Sequence, residues 1–125
     1  TSPKSQTKEK TQNKDLILDQ KILAQLAKYG GKELIKESLQ EFESDTKVLL
    51  KGAHKSLKKE DWNGMRQCLH TLKGNAGTLG VKKVAEQAAK IEKLLKLDPY
   101  PEIKEDLDLL SAYFIEFSEK YLEFI

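Results

Sequence analysis

A chain of 125 residues has room for one core of ordinary domain size, which excludes a two-domain enzyme. Hydrophobic residues make up 38% and charged residues 34%, the balance of a small domain whose helices each show one apolar stripe and one solvated face, so a fully disordered chain is excluded. The formal charge is only +2 and Lys alternates with Glu along most of the chain, so no broad field of one sign exists to hold nucleic acid or anionic lipid.

One cysteine, Cys68, cannot form an internal disulfide, and with two distant histidines it cannot complete a zinc site, so no metal ligands are assigned. No apolar run approaches the roughly 20 residues that cross a bilayer. The expected location is the cytoplasm, with no direct membrane contact by this chain.

Residues 1–14 contain no large apolar side chain and read as a flexible linker, of the kind that joins a domain to a longer protein. The domain proper is expected over residues 15–125. From Asp15 to Tyr29 a short amphipathic helix turns Ile22, Leu23 and Leu26 inward and stops at Gly30-Gly31. From Lys32 to about Lys59, Ile35, Leu39, Phe42, Thr46, Leu49, Ala53 and Leu57 keep one face toward a core. Gly52 inside this run costs roughly 1 kcal/mol against Ala unless a close neighbour requires it.

Asp61 suits an N-cap, after which Met65, Leu69, Leu72, Ala76 and Leu79 recur at intervals of four and three until Gly80. Val84, Ala88, Ile91 and Leu95 mark the next helix, stopped by Asp98-Pro99-Tyr100-Pro101. Pro101 suits the first turn of the last helix, with Glu102, Glu105 and Asp106 at its positive end and Ile103, Leu107, Leu110, Phe114, Phe117 and Tyr121 as its stripe. No strand signal occurs. Four long amphipathic helices on short connections predict an all-α, up-down antiparallel four-helix bundle, with the short N-terminal helix covering one end. Such a bundle satisfies its own stripes, so a monomer is expected.

The chemically informative segment is Leu69-His70-Thr71-Leu72-Lys73-Gly74-Asn75-Ala76-Gly77-Thr78-Leu79-Gly80. At about 100° per residue His70 lies roughly 135° from the centre of the apolar stripe, facing water. Asn63, Arg66, Gln67, Lys73, Gly74 and Gly77 fall on the same side, so two cations flank an exposed imidazole. Gly74 and Gly77 each cost about 1 kcal/mol in a helix, and lacking side chains they leave the imidazole open to a large partner. A nucleophilic nitrogen, open access and nearby cations are what a phosphoryl carrier requires.

The run His-x-Leu-Lys-Gly-Asn-Ala-x-x-Leu-Gly from His70 to Gly80 resembles the signature of histidine-containing phosphotransfer (HPt) domains, and the likeness extends from about Leu18 to Ile91-Glu92. The resemblance implies a helical bundle in which His70 is phosphorylated, Lys73 partners the phosphoryl group, Gly74 gives access and Gly80 closes the motif. It also implies a relay: a receiver domain's aspartyl phosphate passes its group to His70, which returns it to an aspartate on another receiver. The receivers are then the partners and carry the Mg2+. The chain itself needs no cofactor and has no phosphate-binding glycine loop for ATP. A hybrid sensor kinase is the implied parent, which would tether the domain at the inner face of a membrane.

The plainer readings are a helical adaptor with no chemistry at His70 and the dimerisation and phosphoacceptor domain of a sensor kinase. The latter resembles His-Glu-Leu-Arg-Thr-Pro, whereas Thr71 follows the histidine here and no proline comes after it. His54 follows the core position Ala53 and reads as structural, Cys68 as a buried inert thiol, and Trp62 as packing at an end of the bundle. Gly80 is most simply a helix C-cap.

Overall fold

The computed structural model describes residues 17–97 and 101–125, so the expected linker over 1–14 lies outside the described residues. The described elements are α1 (Gln20–Lys58), α2 (Trp62–Leu79), α3 (Lys82–Leu94), α4 (Lys104–Lys120) and a closing 3-10 turn, Tyr121–Phe124.

The two helices expected before residue 60 are both present, as two arms of α1 that meet at a kink where the sequence placed the break. Only Gly31 leaves helical geometry, at φ 67° and ψ −161°, and the helix resumes at once. That left-handed φ is what requires glycine there, since a side chain would meet nothing within 4 Å. Asp15, the expected start, lies outside the described residues; Asp19 caps the helix by accepting from the Lys21 N–H at 2.9 Å. In the longer arm Ile35, Leu39, Phe42, Thr46 and Ala53 are buried as expected, but Leu50 is buried and Leu49 only partly so. Leu50 lies four residues after Thr46 and three before Ala53, so it continues the spacing as well as Leu49 does; packing selected between them.

Helix α2 matches expectation at both ends. Asp61 accepts from the Gly64 N–H at 3.0 Å, and Gly80 is a left-handed C-cap at φ 76°. Gly80 is more than a cap, however. The Asp19 N–H donates to its carbonyl at 2.8 Å, and a Cβ there would lie 2.8 Å from Asp19 Cβ. The first arm of α1 crosses this corner and, with Leu18 and Leu23 buried, covers the α2–α3 end of the bundle.

Helix α3 ends at Leu94 with Leu95 as C-cap; the expected stop at Asp98-Pro99-Tyr100 lies outside the described residues. Pro101 is not in the first turn of α4, which begins at Lys104 with Ile103 at the N-cap. Ile103 is buried, and its carbonyl accepts from the Leu107 N–H at 2.9 Å. Anchoring that side chain in the core sets where the helix starts, so Glu105 and Asp106 occupy the first turn while Glu102 precedes it.

Cross-contacts establish the up-down order. Arg66, His70 and Lys73 meet Leu95 and Glu92, so α2 and α3 run in opposite directions. Gln87 donates to the Asp106 carbonyl at 2.9 Å while Lys83 pairs with Glu116 at 3.1 Å, which opposes α3 and α4. His54 shares a 2.9 Å hydrogen bond with Ser111, and Tyr121 donates to Glu43 at 3.3 Å, which opposes α4 and α1. The structural role expected for His54 is this tie. Gly52 has the close neighbour that its position suggested, because a Cβ there would lie 3.2 Å from Cys68 Sγ. Phe117 anchors the core, edge-on to Phe42 at 5.3 Å and stacked with Tyr121 at 4.8 Å.

Two substitutions measure these constraints by urea denaturation. Gly80→Ala should cost about 1–3 kcal/mol from its positive φ, and Phe117→Ala about 3–5 kcal/mol from the cavity it leaves.

Candidate functional site

The site is built where α2 crosses α3. His70 is on the outer face of α2 with its side chain 70% exposed, and its Nδ1 lies 3.0 Å from Glu92 Oε1. Glu92, on α3, is only 11% exposed and also holds Lys73: Nζ donates to Oε1 at 3.3 Å and lies 2.9 Å from Oε2 in an ion-pair contact. One buried carboxylate therefore fixes both residues that the sequence had singled out. Lys73 is three residues from His70, one turn on along the same face, which is why a single group on α3 reaches both.

The Glu92 carboxyl titrates below the ordinary carboxylate range: the Lys73 hydrogen bond lowers it most, burial opposes this, and the His70 hydrogen bond adds to the lowering. An ionised carboxylate only accepts, so Nδ1 must be the protonated ring nitrogen and donate to it. In the neutral ring the lone pair then sits on Nε2, on a ring most of whose surface meets solvent. The arrangement can offer a nucleophilic nitrogen in one defined tautomer, with a cation held one turn away.

Sequence reasoning missed Glu92 as a site residue, although the signal was present. It lies four residues after Ala88 and three before Leu95, on the apolar stripe of α3, where a lone carboxylate calls for a buried partner. Gln87 occupies a similar stripe position, but its amide is spent on joining α3 to α4.

The remaining expected residues divide. Arg66, Gln67, His70, Thr71 and Glu92 line one surface hollow of about 410 Å³. Within it the Arg66 guanidinium donates through Nη2 to the Leu95 carbonyl at 3.3 Å, capping the end of α3. Gln67 is exposed. Gly74 is open, with nothing within 4 Å of an added Cβ, so close helix packing is not its reason. Gly77 is equally open but lines a separate hollow with Asp19, Gly80 and Lys82, away from the imidazole. Cys68 is only partly buried, not fully as expected, because it flanks the stripe beside Gly52; desolvation still raises its thiol above the usual range, with Asp61 adding to the effect. Trp62 packs against the core. Among the described residues no group of three or more His, Cys, Asp or Glu is placed to hold a metal ion, and no helix is long and apolar enough to cross a membrane.

Because the folded-state pKa of Glu92 is depressed, its contribution to stability is present above about pH 4.5 and is lost as pH falls through the lowered value. Urea midpoints measured from pH 7 downward should therefore fall more steeply for wild type than for Glu92→Gln. Parallel curves would show that the carboxylate carries no net interaction in the fold.

Residues 37–122, from within the longer arm of α1 to the closing turn, match the family model described as Hpt domain. Comparison with curated proteins and with solved structures gives no match. The matched span covers well over half of the chain and contains His70, Lys73, Gly74 and Glu92 together. A four-helix bundle with that span matched belongs to the Hpt domain family, the phosphocarriers of phosphorelay signalling, which work by histidine phosphotransfer with receiver domains.

Proposed function

We propose that His70 Nε2 is the phosphoacceptor of this chain, taking its group from a receiver's phosphoaspartate and delivering it to the aspartate of a second receiver. The observation that supports this reading is the exposed ring whose Nδ1 is tied to a buried, ionised Glu92. In the forward step the Nε2 lone pair forms the P–N bond, the acyl P–O bond breaks, and the receiver aspartate leaves as a carboxylate. The proton stays on Nδ1, so the phosphorylated ring carries a positive charge that the Glu92 carboxylate offsets. Glu92 is a positioning residue, since it acts through the imidazole. Reversal of the same step passes the group on.

Lys73 supplies the second element. Its ammonium is within reach of Glu92 in the resting protein and, one turn from His70, is placed to turn toward phosphoryl oxygens as negative charge arrives. Gly74 leaves the approach clear. The divalent cation and the remaining positioned charge belong, in this reading, to the receiver, so the carrier is half of an active site and needs neither ATP nor a second copy of itself.

Incubation with a phosphorylated receiver should label the protein with an acid-labile, alkali-stable group, and His70→Gln should remain unlabelled while His54→Gln transfers normally. Labelling of His70→Gln would overturn the assignment, and an unlabelled wild type across a panel of receivers would favour the adaptor. Lys73→Ala should slow transfer roughly 5- to 150-fold, the worth of one charge-assisted contact of about 1–3 kcal/mol acting in the transition state. Gly74→Leu should keep near-wild-type stability and lose most transfer; a destabilised variant that still transfers would make packing the reason for glycine.

A further inference from the structure

The exposed face of α1 is segregated by charge, its acidic half bordering a hollow that Glu41 and Asp45 share with Asn75 and Thr78 of α2. Glu37, Glu41 and Asp45 lie at intervals of four along it, Val48 follows, and then come Lys51, Lys55 and Lys59. All seven are exposed, and Val48 retains 71% of its surface. At about 100° per residue the seven fall within about 60° of Val48, one continuous ridge. None of the six charges is ion-paired with another described residue. Within the ridge every neighbour at i,i+4 has the same sign, an order that destabilises an isolated helix where alternation would stabilise it.

The positions are symmetric about Val48. Asp45 and Lys51 lie three residues either side of it, Glu41 and Lys55 seven, and Glu37 and Lys59 eleven. Two copies of this ridge laid antiparallel on a two-fold axis at Val48 would set residue 48+k against residue 48−k of the other copy. Each of these three acids then faces a lysine, and the two exposed valines face each other. A two-fold contact uses the same patch on both partners and needs this kind of self-complementarity.

We propose that the ridge is a self-association surface and that its occupant is a second copy of this chain, docked antiparallel through α1. The proposal is independent of the phosphoacceptor reading, because His70 is on the outer face of α2 and remains uncovered. The contact is a single helix pair about 33 Å long, short of the roughly 1,200–2,000 Å² buried in stable complexes, so association is weak and the dilute protein is a monomer. Its attraction is electrostatic between exposed groups and falls as salt shortens the Debye length.

The test is sedimentation equilibrium of the full chain at millimolar concentration in low and in roughly 0.5 M salt. Wild type should show a mass above that of one chain in low salt and return to it in high salt. Glu41→Lys and Lys55→Glu should each lower the association constant roughly tenfold, since each reversal sets like charges together twice in the dimer. An equal mixture of the two variants should restore association, because in the mixed dimer both contacts are again of opposite sign. Net charge alone predicts otherwise: Lys55→Glu removes the formal +2 and would then associate more readily than wild type. Monomers under every condition, stronger association of Lys55→Glu, or a mixture no tighter than its components would each overturn the proposal. Transfer to His70, measured on the same variants, should be unchanged.

Discussion

The Glu92 carboxylate, buried between α2 and α3 and shared by His70 and Lys73, is the interaction on which the functional geometry depends. A charge so placed has given up most of its water, and it is tolerated because two donors replace the hydration. Its partners in turn are held where they would otherwise wander: an exposed imidazole samples two tautomers and several rotamers, and a surface lysine sweeps a wide volume. One buried acceptor removes both freedoms and leaves the site prepared before any partner arrives.

The fold serves that contact by holding α2 and α3 in register. Gly80 turns the chain between them at φ 76° and receives the Asp19 N–H on its carbonyl, so the first arm of α1 braces the corner. At the other end the Arg66 guanidinium caps α3 through the Leu95 carbonyl, one turn beyond Glu92. Along the far side Gln87 ties α3 to α4, and the Phe42, Phe114, Phe117 and Tyr121 rings fill the space between α4 and α1. These contacts are away from the imidazole, yet a slip of α3 by one residue would carry Glu92 about 100° round its axis and out of reach of both partners.

The glycines do not share one reason. Gly31 and Gly80 have left-handed backbones that only glycine adopts cheaply, and Gly52 makes room for Cys68. Gly74 has ordinary helical geometry and open space, so neither backbone conformation nor packing requires glycine there, and access to His70 is the role proposed for it. Two glycines with equal helix propensity penalties can thus have opposite explanations, and the local space around each Cβ position separates them.

The amino-acid sequence by itself determined the helical class, the apolar stripes, the caps at Asp61 and Gly80, and the exposure of His70 with Lys73 one turn on. All of these follow from the period of 3.6 residues and from the chemistry of single side chains, which are local quantities. It also carried the motif that resembles the HPt family. What it left undecided depended on distance through space. Leu49 and Leu50 fit the stripe equally until a neighbouring helix chose, and the start of α4 moved from Pro101 to Lys104 because Ile103 is anchored in the core. Glu92 was readable as a misplaced charge, but not as the partner of His70, twenty-two residues away along the chain. Only the packing of α3 against α2 brings that carboxylate to Nδ1, and so only tertiary structure decides which ring nitrogen is left free of it.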